Sequence, residues 1–116
     1  MNRKHLKRLA ALFAVLCSLS FNSARLAAQT QTTGDVAGVV TDASGAVVPA
    51  AKVVLKSNDR GTSQDITTSK DGVYRFFLLA PGSYTVTASA AGFQTSQQVV
   101  QVSLGQIATA DVHLTV

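Results

Sequence analysis

The fold is decided by residues 71–88, whose sequence is DGVYRFFLLAPGSYTVTA. Large or apolar side chains recur at every second position in two parts of this stretch: Tyr74 and Phe76, then Tyr84, Val86 and Ala88. A period of two is typical of a strand with one buried face. The dipeptides Asp71-Gly72 and Pro81-Gly82 are turn signals that bound the two segments. The stretch therefore predicts two strands whose alternating residues enter a common core.

The same pattern continues along the chain. Turn signals rich in Gly, Asn and Asp recur about ten to thirteen residues apart, and residues 29–116 contain 14 Val and 12 Thr, which favour strands. No segment after residue 28 has a helical period. We therefore predict an all-β sandwich of seven strands, near residues 35–41, 51–57, 63–69, 73–78, 83–90, 96–104 and 107–115.

Alternation also assigns the faces of the other strands. Ala51, Val53 and Leu55 are predicted to face inward. Two further groups are each predicted to share one face of a strand: Val100, Val102 and Leu104, and Ala110, Val112 and Leu114. Asp111 and His113 then face outward on the last strand. Phe76 is predicted to enter the core with Tyr74, which sends the adjacent Phe77 outward, next to Leu78 and Leu79. The alternative is that the strand bulges or ends near Phe76, so that Phe77 caps the open end of the core.

Residues 1–28 have the pattern of a cleaved signal peptide. Basic residues at positions 3–8 are followed by an uncharged, mostly apolar segment at 9–21, and Leu26-Ala27-Ala28 provides a small-residue cleavage site. Thirteen residues are too few for a spanning helix, which needs about 20. We therefore expect an exported protein that begins at Gln29, with no transmembrane helix in the mature chain. Its destination would be the periplasm, the outer membrane or the extracellular space.

Cleavage would leave a flexible lead-in at residues 29–34 and a domain at 35–116, and it would remove the one cysteine, Cys17. It also removes the basic character of the chain. Five of the ten basic residues lie in the first 28 positions, whereas residues 35–116 carry five basic and six acidic side chains. The domain therefore lacks the positive charge that drives binding to nucleic acid, and we expect no nucleic-acid partner.

Two motifs resemble the carboxypeptidase regulatory-like domain family: GVVTDASGAVVPAAKV at residues 38–53, and KDGVYRF at 70–76 with PGSYTV at 81–86 and Gly92-Phe93. The resemblance implies a non-catalytic, transthyretin-like (prealbumin-like) Greek-key sandwich of seven strands. Such domains occur in metallocarboxypeptidases, in bacterial envelope proteins and as N-terminal extensions of TonB-dependent outer-membrane receptors. This chain is most similar to the receptor extensions.

The chain departs from the family pattern at Ala50, where a glycine commonly follows the proline. A left-handed backbone at this position would strain the alanine by about 1 kcal/mol. An extended backbone would not. The presence of an alanine favours the extended conformation.

The residue types argue against an enzyme. The chain has no Glu and, after residue 28, one His, so the ligands and general base of a zinc carboxypeptidase are missing. His113 and Asp111 share a strand face, and we interpret them as a solvated pair rather than part of a catalytic triad. Turn capping accounts for the acidic turns at 42–45 and 58–59. We therefore predict no catalytic residue, no cofactor and no metal site.

We expect the domain to serve protein interaction or structural support at the bacterial cell envelope. The possible interaction patch consists of Phe77, Leu78 and Phe93, although Phe93 follows Gly92 and favours a position under a loop. A carbohydrate-binding module is one alternative, because Phe77 and Phe93 are the aromatic residues not assigned to the core. A fragment from the N-terminus of a TonB-dependent receptor is the other.

Overall fold

The structure is a computed structural model that describes residues 32–116. The predicted signal peptide lies outside the described residues. Two sheets pack face to face, which confirms the predicted all-β sandwich. Their strands are β1 (Gly34–Asp42), β2 (Lys52–Ser57), β3 (Ser63–Thr67), β4 (Val73–Leu79), β5 (Gly82–Ser89), β6 (Ser96–Val102), β7 (Ile107–Thr109) and β8 (Val112–Leu114). No helix in this part of the chain is long and apolar enough to cross a membrane.

The β1 sheet contains β4, β1, β7 and β8. Strand β1 pairs antiparallel with β4 on one side, with Val36 opposite Phe76 and Gly38 opposite Tyr74. On its other side β1 pairs in parallel with two short strands, first β7 and then β8. The β2 sheet has the order β3-β2-β5-β6, and its neighbours are all antiparallel.

The predicted last strand, 107–115, is two strands, so the described domain has eight strands and not seven. The backbone ladder is interrupted at Ala110 and Asp111. The Ala110 amide still donates to the Ala37 carbonyl oxygen (2.8 Å), but the Val39 amide donates to the Asp111 carboxylate (3.0 Å) rather than to a backbone carbonyl. The side chain thus fills one position in the ladder, and β8 resumes the pairing beyond it.

The core lies between the sheets and follows the predicted alternation closely. Its buried members include Val36 and Val40 from β1, Val53 and Leu55 from β2, Tyr74 and Phe76 from β4, Tyr84, Val86 and Ala88 from β5, and Ala110, Val112 and Leu114. The Tyr74 and Phe76 rings meet edge to face, with centroids 6.0 Å apart. Strands β4 and β5, one in each sheet, thus supply the large aromatic side chains of the core.

The prediction that Leu104 shares a strand face with Val100 and Val102 is wrong, since Val102 is buried and Leu104 is not. Strand β6 ends at Val102, and Leu104 lies in a turn completed by Gly105, whose φ is 68°. Because the strand has already ended, alternation no longer applies, and Leu104 is 55% exposed.

The preference for an extended Ala50 is also wrong. Ala50 has a φ of 56°, in the left-handed region. Its amide donates to the Thr68 carbonyl oxygen (3.1 Å), and the next amide, of Ala51, donates to the Thr68 hydroxyl (2.9 Å). That hydroxyl donates in turn to the Val48 carbonyl oxygen (2.8 Å). The buried Thr68 therefore fixes both sides of the bend, and Ala50 adopts the conformation that the bend requires.

Candidate functional site

The candidate site is the apolar surface formed by Phe77 and Leu78 at the end of β4, here called the Phe77–Leu78 patch. Phe77 is 60% exposed and Leu78 is 79% exposed, whereas the neighbouring Phe76 is only 2% exposed. The structure thus places the two adjacent rings on opposite faces of β4. Phe77 faces solvent and does not cap the open end of the core.

Simple alternation would place the Leu78 side chain in the core and the Leu79 side chain on the surface. The structure has the opposite arrangement. Phe76 pairs with Val36 and Leu79 pairs with Gly34, so two residues of β4 lie opposite the single residue Asp35. This is a β-bulge, and Leu78 within it has a φ of 54°. The left-handed residue reverses the direction of the following side chains. Leu78 therefore faces solvent, and Leu79, which we expected beside Phe77 on the surface, is buried at 4% exposure.

Asp35 holds the bulge in place. One carboxylate oxygen accepts a hydrogen bond from the Leu78 amide (3.1 Å), and the other accepts a hydrogen bond from Nη2 of Arg75 (2.7 Å). Hydrogen bonds from the Arg75 side chain and from the Leu78 amide lower the pKa of Asp35 below its usual value of 3.8. The carboxylate therefore stays ionised at neutral pH and connects β1 to the irregular part of β4.

Arg75 also contacts the ring of Phe77. Its guanidinium carbon lies 4.8 Å from the ring centroid, within the range of a cation–π contact. One face of the Phe77 ring is thus covered by a cation that is itself anchored to Asp35. The backbone bulge thus fixes the position of Leu78 in the patch, and the Arg75 guanidinium packs against one face of Phe77.

Phe93 does not join the patch. It lies in the connection between β5 and β6, after Gly92 with its φ of 84°, and it is half-buried against the core. Its amide donates to the Ala90 carbonyl oxygen (3.1 Å), which closes the turn. The turn folds the ring toward the sandwich, so of the three residues predicted for the patch, Phe77 and Leu78 remain together on the surface.

Asp111 and His113 both face outward, as alternation predicts, and each contacts β1. The Asp111 carboxylate accepts the Val39 amide, and Nδ1 of His113 lies 2.6 Å from the Thr41 hydroxyl oxygen. Both contacts attach the parallel strand segments to β1. This is a structural use of the two side chains.

The two acidic turns differ in what their side chains do. Asp42 caps its own turn, as predicted: Oδ1 accepts the amides of Ser44 (2.9 Å) and Ala46 (3.1 Å) and the Ser44 hydroxyl (2.6 Å). The hydrogen bond from the Ser44 hydroxyl makes the largest contribution to lowering the pKa of Asp42 below its usual value. Asp59 instead accepts the amide of Ser83 on β5 (3.1 Å), so the expectation of local capping is wrong for that turn.

The second acidic turn is capped by a residue that sequence reasoning missed. The buried Ser57 accepts the Arg60 amide (3.1 Å), while Asn58 and Asp59 fasten the turn to β5. Within residues 32–116, no group of three or more His, Cys, Asp or Glu side chains is placed to hold a metal ion.

Thr68, Asp35 and Gly38 also escaped the sequence analysis. Nothing in the sequence pattern indicates the roles of Thr68 and Asp35, because these roles depend on backbone groups that are distant in the chain. The role of Gly38 could have been inferred, since a glycine inside a strand often marks the close approach of another chain segment. A Cβ there would overlap the Ala110 carbonyl oxygen and would lie 2.8 Å from the Tyr74 hydroxyl oxygen. The hydroxyl crosses Gly38 and donates to that carbonyl.

Comparison with known proteins identifies the family. Residues 35–115 match the family model described as the carboxypeptidase regulatory-like domain. Carboxypeptidase Z of Rattus norvegicus is 39% identical over 69 residues, which are 60% of this chain and 10% of that protein. The chain thus corresponds to about one tenth of the length of that relative.

Three solved structures share the fold at low sequence identity. The TIE protein of Bacillus anthracis has a TM-score of 0.64 at 20% identity, covering 72% of this chain and 16% of that one. A minor pilin of Streptococcus agalactiae has a TM-score of 0.59 at 18% identity, covering 74% and 45%. Catechol 1,2-dioxygenase of Acinetobacter radioresistens has a TM-score of 0.59 at 13% identity, covering 73% and 52%.

These likenesses show a sandwich used by proteins of different kinds, whereas the family is shown by the match along nearly the whole described domain. The chain belongs to the carboxypeptidase regulatory-like domain family.

Proposed function

We propose that this chain is an exported, non-catalytic β-sandwich module that contacts a protein partner at the bacterial cell envelope through the Phe77–Leu78 patch. The family match supports a module without its own chemistry, because the matching segment is a small part of a much longer carboxypeptidase. The signal-peptide pattern of residues 1–28 supports export.

The observation that carries the proposal is the backbone at Leu78. A left-handed φ costs a leucine about 1–2 kcal/mol, and glycine adopts the same conformation without that cost. Packing does not offset the strain, because the side chain is 79% exposed. A strained residue that contributes little burial is a reason to look for a functional role. Contact with a partner supplies one, since a leucine there gives the partner an apolar side chain that a glycine would not.

The neighbouring residues favour such a contact. Phe77 adds an exposed aromatic ring, and Arg75 places a cation over it. Aromatic residues and arginine are enriched in protein interfaces, where they account for much of the binding energy. A minor pilin has the same fold, which is consistent with use of this sandwich at a cell surface.

The proposal is tested by capture from a bacterial envelope fraction. The protein and three variants would be immobilised: Phe77→Ser, Leu78→Gly and Ala50→Gly. Ala50→Gly is the matched control, because it relieves the same backbone strain away from the patch. We expect one or more proteins to be retained by the unmodified chain and by the control, and to be lost with both patch variants. Equal retention by all four would overturn the assignment of the patch.

A carbohydrate ligand is the competing possibility, and the exposed ring of Phe77 is the feature that favours it. The Arg75 guanidinium covers one face of that ring, which reduces the area on which a sugar could stack. Glycan-array binding that disappears in Phe77→Ser, without protein capture, would replace the proposed function with this one.

Export is tested separately by the intact mass of protein recovered outside the cytoplasm. We expect a chain beginning at Gln29. A mass that includes Met1 would contradict cleavage after Ala28 and would leave the patch assignment untouched.

A further inference from the structure

Strand β6 forms an open edge of the β2 sheet. Its residues Ser96–Val102 pair with β5 in seven consecutive positions, with no shift of register. Among the described residues, β5 is the strand whose backbone pairs with β6, and no further strand follows β6 in the sheet. The Gln98 side chain of β6 also donates to the Asp111 carbonyl oxygen (3.0 Å), and this contact leaves the backbone groups of the open side unpaired. One side of a strand with an unbroken register is therefore available for pairing.

The groups on that open side follow from the register. The Asn58 amide donates to the Ser83 carbonyl oxygen (2.9 Å), so odd-numbered residues of β5 direct their backbone groups toward β2. Backbone direction alternates along a strand, so even-numbered residues of β5 bond to β6, and Tyr84 meets Val100. The residues of β6 whose N–H and C=O groups point to the open edge are Gln97, Val99 and Gln101. Val99 is 66% exposed.

This edge lacks the features that usually prevent strands from pairing. Natural edges are protected by charged side chains, prolines or bulges. The β3 edge carries Asp65, and the β4 edge has Arg75 and a bulge at Leu78. By contrast, β6 has no charged residue, proline or bulge, and no charged residue occurs anywhere from 76 to 110.

The open edge is also complementary to itself. Its three residues read Gln, Val, Gln in either direction. A two-fold axis at Val99 would place Val99 opposite Val99 of the partner subunit and Gln97 opposite Gln101 of the partner subunit. Each facing pair would exchange two backbone hydrogen bonds, so all six open groups would be paired. The side chains would form one valine–valine contact and two pairs of amides, with no like charges facing each other.

We propose that two copies of this chain pair antiparallel through β6, joining their β2 sheets into one sheet of eight strands. A two-fold contact of this kind uses the β6 edge of both copies, so association ends at the dimer. The backbone contact would involve three residues of each copy, so we expect a reversible dimer with a dissociation constant on the order of 100 µM. This inference does not depend on the Phe77–Leu78 patch, which lies on the other sheet.

Sedimentation equilibrium tests the proposal over a range from about 5 µM to 1 mM. A thiol reductant is included so that Cys17 cannot link chains that retain residues 1–28. The average mass is expected to approach that of two chains and to rise no further. A mass that stays at one chain throughout, or continues to increase beyond two, would overturn the proposal.

The site of pairing is tested with charges at Val99. Val99→Lys places two cations opposite each other on the two-fold axis, and Val99→Asp places two anions there. Each variant alone should associate about tenfold more weakly than the unmodified chain. An equimolar mixture should recover mixed dimers, because each lysine then faces an aspartate. Val73→Lys is the control: it is an exposed valine on β4, the edge strand of the other sheet, and should change association less than twofold.

A circular dichroism melt shows whether the Val99 variants remain folded. If they do not, Gln97 and Gln101, which are also exposed, serve the same purpose. Gln97→Lys with Gln101→Asp should strengthen association, whereas lysine at both positions should weaken it. Unchanged association in these variants, or no mixed dimers from the Val99 pair, would show that the chains do not meet at β6.

Discussion

The two sheets are built in different ways. In the β2 sheet, three antiparallel pairings run without a shift of register. In the β1 sheet, the central strand has an antiparallel neighbour with a bulge on one side and two short parallel neighbours on the other. The regular sheet is maintained by its backbone ladder, whereas the irregular sheet needs side chains to complete the hydrogen bonding.

Three such side chains occupy the irregular positions of the β1 sheet. Asp35 accepts the Leu78 amide at the bulge, Asp111 accepts the Val39 amide at the break between β7 and β8, and the Tyr74 hydroxyl donates to the Ala110 carbonyl oxygen. These irregular positions also determine which side chains reach the surface, because the bulge in β4 exposes Leu78. The irregular β1 sheet therefore carries the candidate site, and we expect substitutions of its side chains to change stability more than substitutions in the β2 sheet.

The largest expected effect separates the two faces of β4. Phe76→Ala should reduce the free energy of unfolding by about 3–5 kcal/mol, because a buried ring leaves a cavity. Phe77→Ala should reduce it by about 0.5–1 kcal/mol, through loss of the contact with Arg75. Urea denaturation measures both. Equal losses would mean that Phe77 belongs to the core.

A slightly smaller effect is expected at the crossing of Tyr74 over β1. Gly38→Ala should destabilise the domain by about 3 kcal/mol, since the new methyl group would meet the Ala110 carbonyl oxygen and the Tyr74 hydroxyl. Gly45→Ala is the control: it lies in open space with a φ of 87°, and strain alone should cost about 1 kcal/mol. If both variants lose the same stability, β1 and the Ala110 region are not in close contact.

The Tyr74 hydroxyl should make the stability of the β1 sheet sensitive to alkali. Burial, with a smaller contribution from the charge of Asp111, raises the pKa of Tyr74 from 10.0 to about 12. The folded state therefore holds this proton more tightly than the unfolded state. The contribution of the protonated Tyr74 hydroxyl to the free energy of unfolding is therefore complete below pH 10. As the pH rises toward 12, the free energy of unfolding should fall by roughly 2 kcal/mol.

Tyr74→Phe provides the reference, and urea denaturation over this pH range measures the free energy of unfolding of both chains. Below pH 10 the unmodified chain should be more stable by about 1 kcal/mol, owing to the hydrogen bond to Ala110. Between pH 10 and 12 the difference should shrink and reverse sign. A difference that is constant with pH would contradict the burial of this hydroxyl.

The smallest effect is expected outside both sheets, at Ala50. Ala50→Gly should stabilise the domain by about 1 kcal/mol, because it relieves the left-handed strain at φ 56°. Ala43→Gly should instead destabilise by a few tenths of a kcal/mol, since Ala43 has no positive φ and the change only adds freedom to the unfolded chain. Thermal melts of the two variants should therefore shift in opposite directions.

Much of the regular part of the fold could be predicted from the sequence. Alternation assigned the buried residues of β2 and β5 and placed Tyr74 and Phe76 in the core, because period-two patterns reflect burial directly. The two motifs identified the family. Alternation also placed Phe77 on the surface.

What the sequence could not provide lies at the irregular positions. Alternation assumes a continuous strand, so it failed where β6 ends before Leu104 and where the bulge exchanges Leu78 and Leu79. The break at Asp111 and the bend at Ala50 depend on side-chain contacts with Val39 and Thr68, which are distant in the chain. Such contacts arise only when the sheets have assembled.

Under the proposed function, Leu78 serves contact with a partner rather than folding, and the free energy of unfolding of Leu78→Gly distinguishes these two roles. Relief of strain at φ 54° should outweigh the little burial lost from a side chain that is 79% exposed. We predict that urea denaturation will show the variant to be more stable than the unmodified chain, by up to about 1 kcal/mol. A loss of about 1 kcal/mol or more would show that Leu78 stabilises the fold itself, and the proposed role of its side chain in contact with a partner would then be wrong.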